Sequence, residues 1–384
     1  MIIVKDKSKC SGCHACENSC PQNCISMIQD EEGFLYPQVD TDICVDCGLC
    51  EKVCPIIEKW QPDGSRKTTA WAAINLTDKI RLNSSSGGVF TLIAEKIIDD
   101  LGGVVFGAAF SEDFRTVRHI WVDNTDDLKM LRGSKYVQSR IDDAYQQAKK
   151  FLDSGRKVLF TGTPCQIGGL YSYLRKPYDN LYTQDIICHG VPSPMVWKKY
   201  VEEREQKASS KTQQMSFRYK KYGWKSYAIL FEFANNTAYE RIINRDPFMK
   251  AFLSNVCLRP SCYECTFKST IRQSDITLAD FWGVWNVFPD MYDDRGTSAI
   301  LIHSSKGQEL LDAVNSNMKS VSVGVETVKK YNPAVDSSVV LTKNRRVFFN
   351  TIKEYRLDIS VKKVCGTSLI NRIVKRILKI VHAH

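Results

Sequence analysis

A mixed α/β (α+β) body containing a βαβ unit, preceded by a small cysteine-rich domain, is the fold class that three observations predict. The first is a cysteine run that occurs twice before residue 56. The second is the pattern strand, proline-started helix, strand between Lys157 and Ile187, which is the size of an ordinary βαβ unit. The third is length: 384 residues with 43% hydrophobic side chains exceed one typical domain and suffice for a full core behind a small module.

The cysteine run reads Cys10, Cys13, Cys16, Cys20-Pro21 and returns as Cys44, Cys47, Cys50, Cys54-Pro55. Both halves are C-x2-C-x2-C-x3-C-P, the spacing with which bacterial ferredoxins hold two 4Fe-4S clusters, the fourth cysteine of each run reaching the other cluster. Cys10, Cys13 and Cys16 are therefore expected to pair with Cys54, and Cys44, Cys47 and Cys50 with Cys20. A short loop must wrap a cubane so that three thiolates converge, and each proline stops the local helix. Zinc ribbons use paired C-x2-C units and disulfide scaffolds are short secreted chains, so neither fits as well. Residues 1–60 are read as a ferredoxin-like two-cluster domain whose metal supplies folding energy that so small a core lacks.

Fifteen cysteines argue for metal ligation in a reducing compartment. The apolar start Met1 to Val4 is too short for a signal peptide and no stretch reaches eighteen apolar residues, so a cytoplasmic location is expected. The net charge of +10 is concentrated at the C-terminal end, where Lys343 to His384 hold eleven Lys and Arg against Glu354 and Asp358. The remainder is nearly neutral, and bound clusters, at about −2 each when oxidised, would make it acidic. No nucleic-acid partner is expected.

In chain order, residues 61–69 read as a polar linker and 70–330 as the body, which is expected to fold and keep its cofactors without the first 60 residues. Ala70 to Leu76 reads as a strand. Ser84 to Gly88 opens a helix with apolar positions Val89, Phe90, Ile93, Ile97, Ile98 and Leu101, and exposed backbone N–H groups there suit an anion or an ordinary serine cap. Val104 to Phe110 and Val117 to Val122 read as paired strands, and Arg132 to Tyr136 as a loop bearing two cations. Lys157 to Thr161 is a buried strand, Thr163-Pro164 starts a helix, and Leu181 to Ile187 is the next, parallel strand. Cys165 and Cys188 then lie just past the ends of adjacent parallel strands, at the sheet edge where α/β folds bind ligands. Cys262 and Cys265 form a C-x2-C, with Cys257 five residues earlier, and Asp275 to Ala279 reads as a strand leading into Asp280-Phe281-Trp282-Gly283. Four cysteines at two converging places favour a third metal site, although sequence order alone does not choose between Cys257 and the others. Residues 331–384 read as a basic tail in which Ile370, Ile373, Val374, Ile377, Leu378 and Val381 share one face of an amphipathic helix, suited to an anionic membrane surface or to the protein's own body.

The blocks SSSGGVFTLIAEKI, GGVVFGAAF, LRGSKYVQS, LFTGTPCQIGGL, DIICHGVPSP, AFLSNVCLRPSCYECTFK and SDITLADFWG, in this order, resemble the beta subunit of the coenzyme F-420 hydrogenase/dehydrogenase family, here behind a two-cluster ferredoxin. The resemblance implies an FAD-binding α/β body with its own 4Fe-4S cluster, held by Cys165, Cys188, Cys262 and Cys265, with Cys257 left to packing. It also implies that FAD is held by the loop Ser86, Gly87, Gly88, by Arg132, Gly133, Ser134, Lys135, Tyr136, and by the turn Thr161, Gly162, Thr163. Clusters pass single electrons whereas carbon centres generally take two, so a flavin is the natural exchanger between them. The expected function is an iron–sulfur flavoprotein oxidoreductase that takes electrons from a donor protein through the clusters to FAD and on to an organic substrate. His189 and Lys135 are candidate proton donors, although for His189 a structural hydrogen bond to a cluster sulfur or the backbone is the favoured reading. The alternative is an electron-transfer subunit that relays electrons to a separate enzyme.

Overall fold

The computed structural model describes residues 1–62, 64 and 66–366. The amphipathic helix expected within Ile370 to Val381 lies outside them. No helix among the described residues is long and apolar enough to cross a membrane.

The N-terminal module carries one hairpin, β1 (Ile25–Gln29) and β2 (Leu35–Val39), paired antiparallel. Its turn forms because Asp30 accepts hydrogen bonds from the backbone N–H groups of Glu32 and Phe34. The body is organised on strands β3 (Thr69–Asn75), β4 (Val104–Phe110), β5 (Val117–Val122), β6 (Val158–Thr161) and β7 (Leu181–Ile186). After β7 come β8 (Thr212–Tyr219), β9 (Ala228–Phe233), β10 (Ala238–Ile242), β11 (Ile276–Asp280), β12 (Ser298–Ile302) and β13 (Met318–Val323). Eight of them form one mixed sheet in the order β13-β3-β12-β11-β7-β6-β4-β5, and β10-β9-β8 form a separate antiparallel sheet.

The expected βαβ unit is β6, helix Pro164–Leu174 and β7. The two strands are parallel, in register from Val158 with Leu181 to Thr161 with Gln184. Thr163 and Gln166 close a capping box at the helix start, so β6 passes into the helix with its first donors satisfied. β4 and β11 run parallel to these strands, which places the C-terminal ends of β4, β6, β7 and β11 on one edge of the sheet.

The smaller sheet packs on helix Pro194–Ala208 through an aromatic core that includes Trp197, Tyr200, Phe217, Phe231 and Phe248. Phe34 of the N-terminal hairpin and Phe348 and Phe349 of helix Asn344–Glu354 belong to the same core, and all three are buried. Residues 344–365, expected in the basic tail, are therefore built into the body. Phe348, Phe349, Ile352, Leu357, Val361 and Val364 recur at helical spacing and are buried, while Arg346, Lys353, Lys362 and Lys363 remain exposed.

The N-terminal module is likewise not set apart. Glu32 forms a bidentate ion pair with Arg345, the Ser193 hydroxyl donates to the Glu32 carbonyl, and the Asn18 side chain donates to the Asp142 carbonyl at 2.7 Å. With Phe34 in the shared core, these contacts argue against a body that folds without residues 1–60.

Candidate metal and cofactor centre

The helix that follows β6 carries Cys165 in its first turn, and Cys188 lies two residues past the end of β7, so the parallel strands deliver both sulfurs to one edge. A short 3-10 helix, Pro260–Glu264, brings Cys262 and Cys265 to the same place. All four cysteines line a cavity of about 50 Å³ together with His189, Lys268, Arg272, and Ser8, Lys9, Ser11 and Ile56 of the N-terminal module. That volume exceeds what a single water needs. Among the described residues no three His, Cys, Asp or Glu side chains converge on a single ion position. The sulfurs instead line the wall of a chamber.

Burial dominates the chemistry of these thiols. Desolvation pushes Cys188 up to about 11 and Cys262 up to about 12, and it pushes Cys165 well above the ordinary thiol range. Lys268 and Arg272 partly offset this at Cys188, and Lys268 donates to the Cys188 carbonyl. Such thiols stay protonated at neutral pH until a metal takes their negative charge, which is the donor chemistry of an iron–sulfur cage. The Thr163 hydroxyl lies 3.1 Å from the Cys165 sulfur, and the Val191 N–H donates to the Cys262 sulfur at 3.4 Å. Cys257 is wholly buried in the aromatic core and does not line the chamber.

In the N-terminal module, burial raises the thiol pKa values of Cys13 and Cys16, and neighbouring Cys10 and Cys54 stand close enough to add to it, the grouping that the crossed ferredoxin pattern requires. Cys20, Cys44, Cys47 and Cys50 line a second cavity, of about 20 Å³. Cys24, which the repeated run does not contain, joins them with its sulfur 3.3 Å from that of Cys20. The helix that starts at Pro164 also touches the first group. A side-chain carbon at Gly169 would lie 2.9 Å from the Cys13 Cβ, so glycine lets this helix seat directly on the ferredoxin loop.

The serine-glycine loop and the Arg132 to Tyr136 loop meet further along the same edge. The Ser134 N–H donates to the Ser85 oxygen and the two hydroxyls are 2.7 Å apart. A Cβ at Gly87 would strike the Ala73 carbonyl at 2.4 Å, and Gly88 has φ +85°, so both positions demand glycine for the loop to lie on the ends of β3 and β12. Ser86 donates to the Thr297 carbonyl, Arg132 donates from Nε to the Thr91 hydroxyl, and Gly133 has φ +84°. The turn Thr161, Gly162, Thr163 is committed to the protein itself: Thr161 donates to the Phe106 carbonyl, the Gly162 N–H to the Gln184 carbonyl, and Thr163 caps its helix.

The two candidate proton donors are placed differently. His189 lines the cysteine chamber, 2.8 Å through Nε2 from the Asn255 side-chain oxygen, and burial lowers its pKa. Lys135 donates to the carbonyls of Met130, Leu131 and Arg132, capping the short helix before it and leaving no N–H for the chamber; burial lowers it to about 7.

Reading the sequence missed the group that joins the two loops. Arg218 of β8 holds Asp280, at the end of β11, through two bonds, and donates to the Ser85 carbonyl and the Tyr136 hydroxyl. Lys220 donates to the carbonyls of Arg81, Ser86 and Arg295, and burial lowers its pKa to about 7. Asp280 stands in the block SDITLADFWG and was visible as a motif residue; an arginine between Phe217 and Tyr219 of a strand gives no such signal.

Two regions of the chain match known protein families. Residues 155–326 match the C-terminal family model of the coenzyme F420 hydrogenase/dehydrogenase beta subunit, and residues 9–56 match the 4Fe-4S dicluster domain. An uncharacterised protein of Methanocaldococcus jannaschii is 28% identical over 210 residues, covering 46% of this chain and 56% of that protein. The coenzyme F420-dependent sulfite reductase of the same organism is 26% identical over 200 residues, 49% of this chain and 29% of the reductase. The chain thus spans little more than half of the first relative and under a third of the second. Among solved structures, a chain of the F420-reducing [NiFe] hydrogenase complex from Methanosarcina barkeri aligns over 70% of this chain and 88% of its own, with TM-score 0.48 and 14% identity. The chain carries, at residues 155–326, a C-terminal domain of the coenzyme F420 hydrogenase/dehydrogenase beta subunit and, at residues 9–56, a 4Fe-4S dicluster ferredoxin domain, which makes it an iron–sulfur protein related to electron-transferring oxidoreductases.

Proposed function

We propose that this protein is an iron–sulfur flavoprotein oxidoreductase in which electrons from a donor protein pass through the two ferredoxin clusters and a third cluster to FAD, and from there to an organic acceptor. The observation that carries this reading is the cysteine chamber, whose wall is shared between the four body cysteines and Ser8, Lys9, Ser11 and Ile56 of the ferredoxin module. A cluster held there by Cys165, Cys188, Cys262 and Cys265 would be a direct neighbour of the first ferredoxin cluster.

The residues fit the groups assigned to them. Four thiols on one cavity wall, with Lys268 and Arg272 beside them, suit an iron–sulfur cage. For FAD, Ser86, Gly87 and Gly88 press a loop of backbone N–H groups onto the sheet edge, Arg132 offers a half-buried guanidinium, and Ser134 ties its loop to Ser85. Burial lowers the Arg132 pKa, so a diphosphate would restore the environment that its charge prefers. The Nε of Arg218 is buried without a partner beside these loops, an orphan that a bound polar group would satisfy. When bound, FAD supplies the exchange between one-electron and two-electron chemistry.

The protein's own residues then do three things. Lys268 and Arg272 place positive charge beside Cys188 and compensate the charge of a bound cage. Arg218 and Asp280 fix the two loops relative to β11. His189, held by Asn255, keeps a neutral imidazole at the chamber wall and is the residue placed to hold a proton there.

Anaerobic purification followed by iron and flavin analysis, and then a screen of organic acceptors with reduced ferredoxin as donor, tests the reading. About twelve irons with one FAD per chain and turnover of an organic acceptor are expected. A chain that copurifies with a separate catalytic subunit and by itself reduces only dyes would be a relay subunit instead.

A further inference from the structure

Arg259 is wholly buried, and among the described residues none of its partners is a carboxylate. Its Nε donates to the Cys10 carbonyl at 2.8 Å, and one terminal nitrogen donates to the Leu35 carbonyl at 2.9 Å and reaches the Cys10 sulfur at 3.5 Å. The other terminal nitrogen donates to the Gln138 side-chain oxygen at 3.0 Å, and Gln138 in turn donates to the Ser11 carbonyl. The guanidinium lies 4.3 Å from the centre of the Tyr36 ring. It also fills the hollow left by Gly12, where φ is +68° and a Cβ would come within 2.8 Å of it. A guanidinium does not lose its proton in a protein, so burying one without an anion is strongly unfavourable. With a cluster bound, the anion it would face is the ligating sulfur of Cys10.

The distal sulfurs are surrounded differently. There the hydrogen bond to sulfur comes from a neutral backbone group, Ile2 N–H to Cys50 at 3.2 Å. Asp40, Asp42, Asp46 and Glu51 lie in the surrounding sequence, the terminal amine is paired with Asp46, and Cys47 is exposed.

We propose that Arg259 is the buried counter-ion of the cluster held by Cys10, Cys13, Cys16 and Cys54, and that it sets the potential of this cluster above that of the distal one. The inference rests on the cluster assignment made above. A fixed cation beside one set of sulfurs stabilises the added electron there, whereas the acidic side chains around the distal set disfavour it. One electron then leaves the distal set, which is oxidised by one, and enters the inner set, which is reduced by one; no proton or further reactant is needed. The backbone of Arg259 makes the next link. Its carbonyl accepts the Cys262 N–H at 3.0 Å, so the same residue that touches the first cluster's ligand positions a ligand of the third. Arg259 is a positioning and potential-setting residue for inward electron flow.

The test is an EPR-monitored redox titration of the anaerobically purified whole protein, with iron counted in parallel. Resolving two ferredoxin-type clusters in the wild type checks the underlying assignment separately. In Arg259→Gln, one ferredoxin cluster should become at least about tenfold harder to reduce, a shift of about 59 mV for one electron, while the distal cluster keeps its potential. Gln138→Glu reads the same field with Arg259 in place: a carboxylate given to the guanidinium should lower the same potential. Loss of the inner cluster from the glutamine variant and its retention in Arg259→Lys supports the counter-ion role as well. Unchanged potentials in either iron-replete variant, or a shift confined to the distal cluster, would overturn the proposal.

Discussion

Arg218 and Asp280, 62 residues apart, form a buried ion pair with two bonds of 2.9 and 3.0 Å, and the same guanidinium lies 3.9 Å from the centre of the Tyr227 ring. This pair is where the two sheets of the body and both candidate flavin loops meet. Arg218 comes from the small sheet and Asp280 from the large one, while the Ser85 carbonyl and the Tyr136 hydroxyl accept from the terminal nitrogens of Arg218. Removing one partner leaves the other charge buried, so Asp280→Ala should destabilise the protein by about 3 to 5 kcal/mol. Denaturant unfolding of the purified protein measures this. FAD content should fall with it, because both loops lose their common anchor. The double replacement of Arg218 and Asp280 by Met and Leu should recover a large part of the stability but not of the flavin.

Phe34 provides a second test, of how tightly the ferredoxin module is joined to the body. It is fully buried among body side chains and meets Phe349 edge to face at 6.3 Å. Phe34→Ala should cost about 3 to 5 kcal/mol, as a large-to-small change in a packed core does. Deleting residues 1–60 should expose the aromatic core and give aggregated protein, which size-exclusion chromatography would reveal. A monomeric body that keeps its flavin would show that the module is a separable unit after all.

His303 predicts a pH dependence. It is 1% exposed, with Nε2 2.9 Å from the Thr277 hydroxyl and Nδ1 3.0 Å from that of Thr68, and burial with Arg272 and Arg66 nearby lowers its pKa to about 3. The unfolded chain takes up this proton near pH 6.5, whereas the folded chain resists it until about pH 3. Below 6.5 the unfolded state therefore binds more protons, and stability falls with pH by up to about 1.4 kcal/mol per unit down to the folded value. Above 6.5 the imidazole is neutral in both states and contributes no slope. In His303→Asn the fall between pH 6 and pH 4 should be shallower, as seen in denaturant midpoints, with visible absorbance recorded alongside to report cluster loss separately.

Local patterns and strand ends made the cysteine chamber legible, and long-range side-chain chemistry hid the rest. The strands Val104 to Phe110 and Val117 to Val122 coincide with β4 and β5, because an apolar run after a glycine pair and a short β-branched and aromatic stretch across a polar turn leave few alternatives. Cys165 and Cys188 meet because consecutive parallel strands must end on one edge. Arg259 stands in the block AFLSNVCLRPSCYECTFK and Arg218 in none, but neither showed its role, since a lone basic residue reads as solvated surface until the chain brings Cys10 or Asp280 to it. Lys135 looked available only because its sequence context does not show the three carbonyls at the end of the preceding helix. Cys24 falls outside the repeated spacing, and only the folded loop places it against Cys20.

The third cluster gives the sharpest prediction. The ferredoxin cysteines account for two cubanes, about eight irons, and a cage on Cys165, Cys188, Cys262 and Cys265 would bring the total to about twelve. Cys165 is the cysteine whose removal is cleanest to interpret. It sits in the first turn of a helix already fixed by its capping box, so serine in its place should disturb a ligand and little else. Cys165→Ser should lower the iron content by about four per chain, leave the ferredoxin clusters visible by EPR, and slow flavin reduction by the native donor. Cys257→Ala is the control. Its sulfur is buried among Phe and Leu side chains away from the chamber, so the variant should keep all its iron and lose only packing energy, about 1 kcal/mol or somewhat more. The reverse pattern, iron kept in the Cys165 variant and lost in the Cys257 variant, would make Cys165 a working thiol rather than a ligand. That thiol would face the sheet edge with a hydroxyl 3.1 Å away, and alkylation of the iron-replete wild type would then label it.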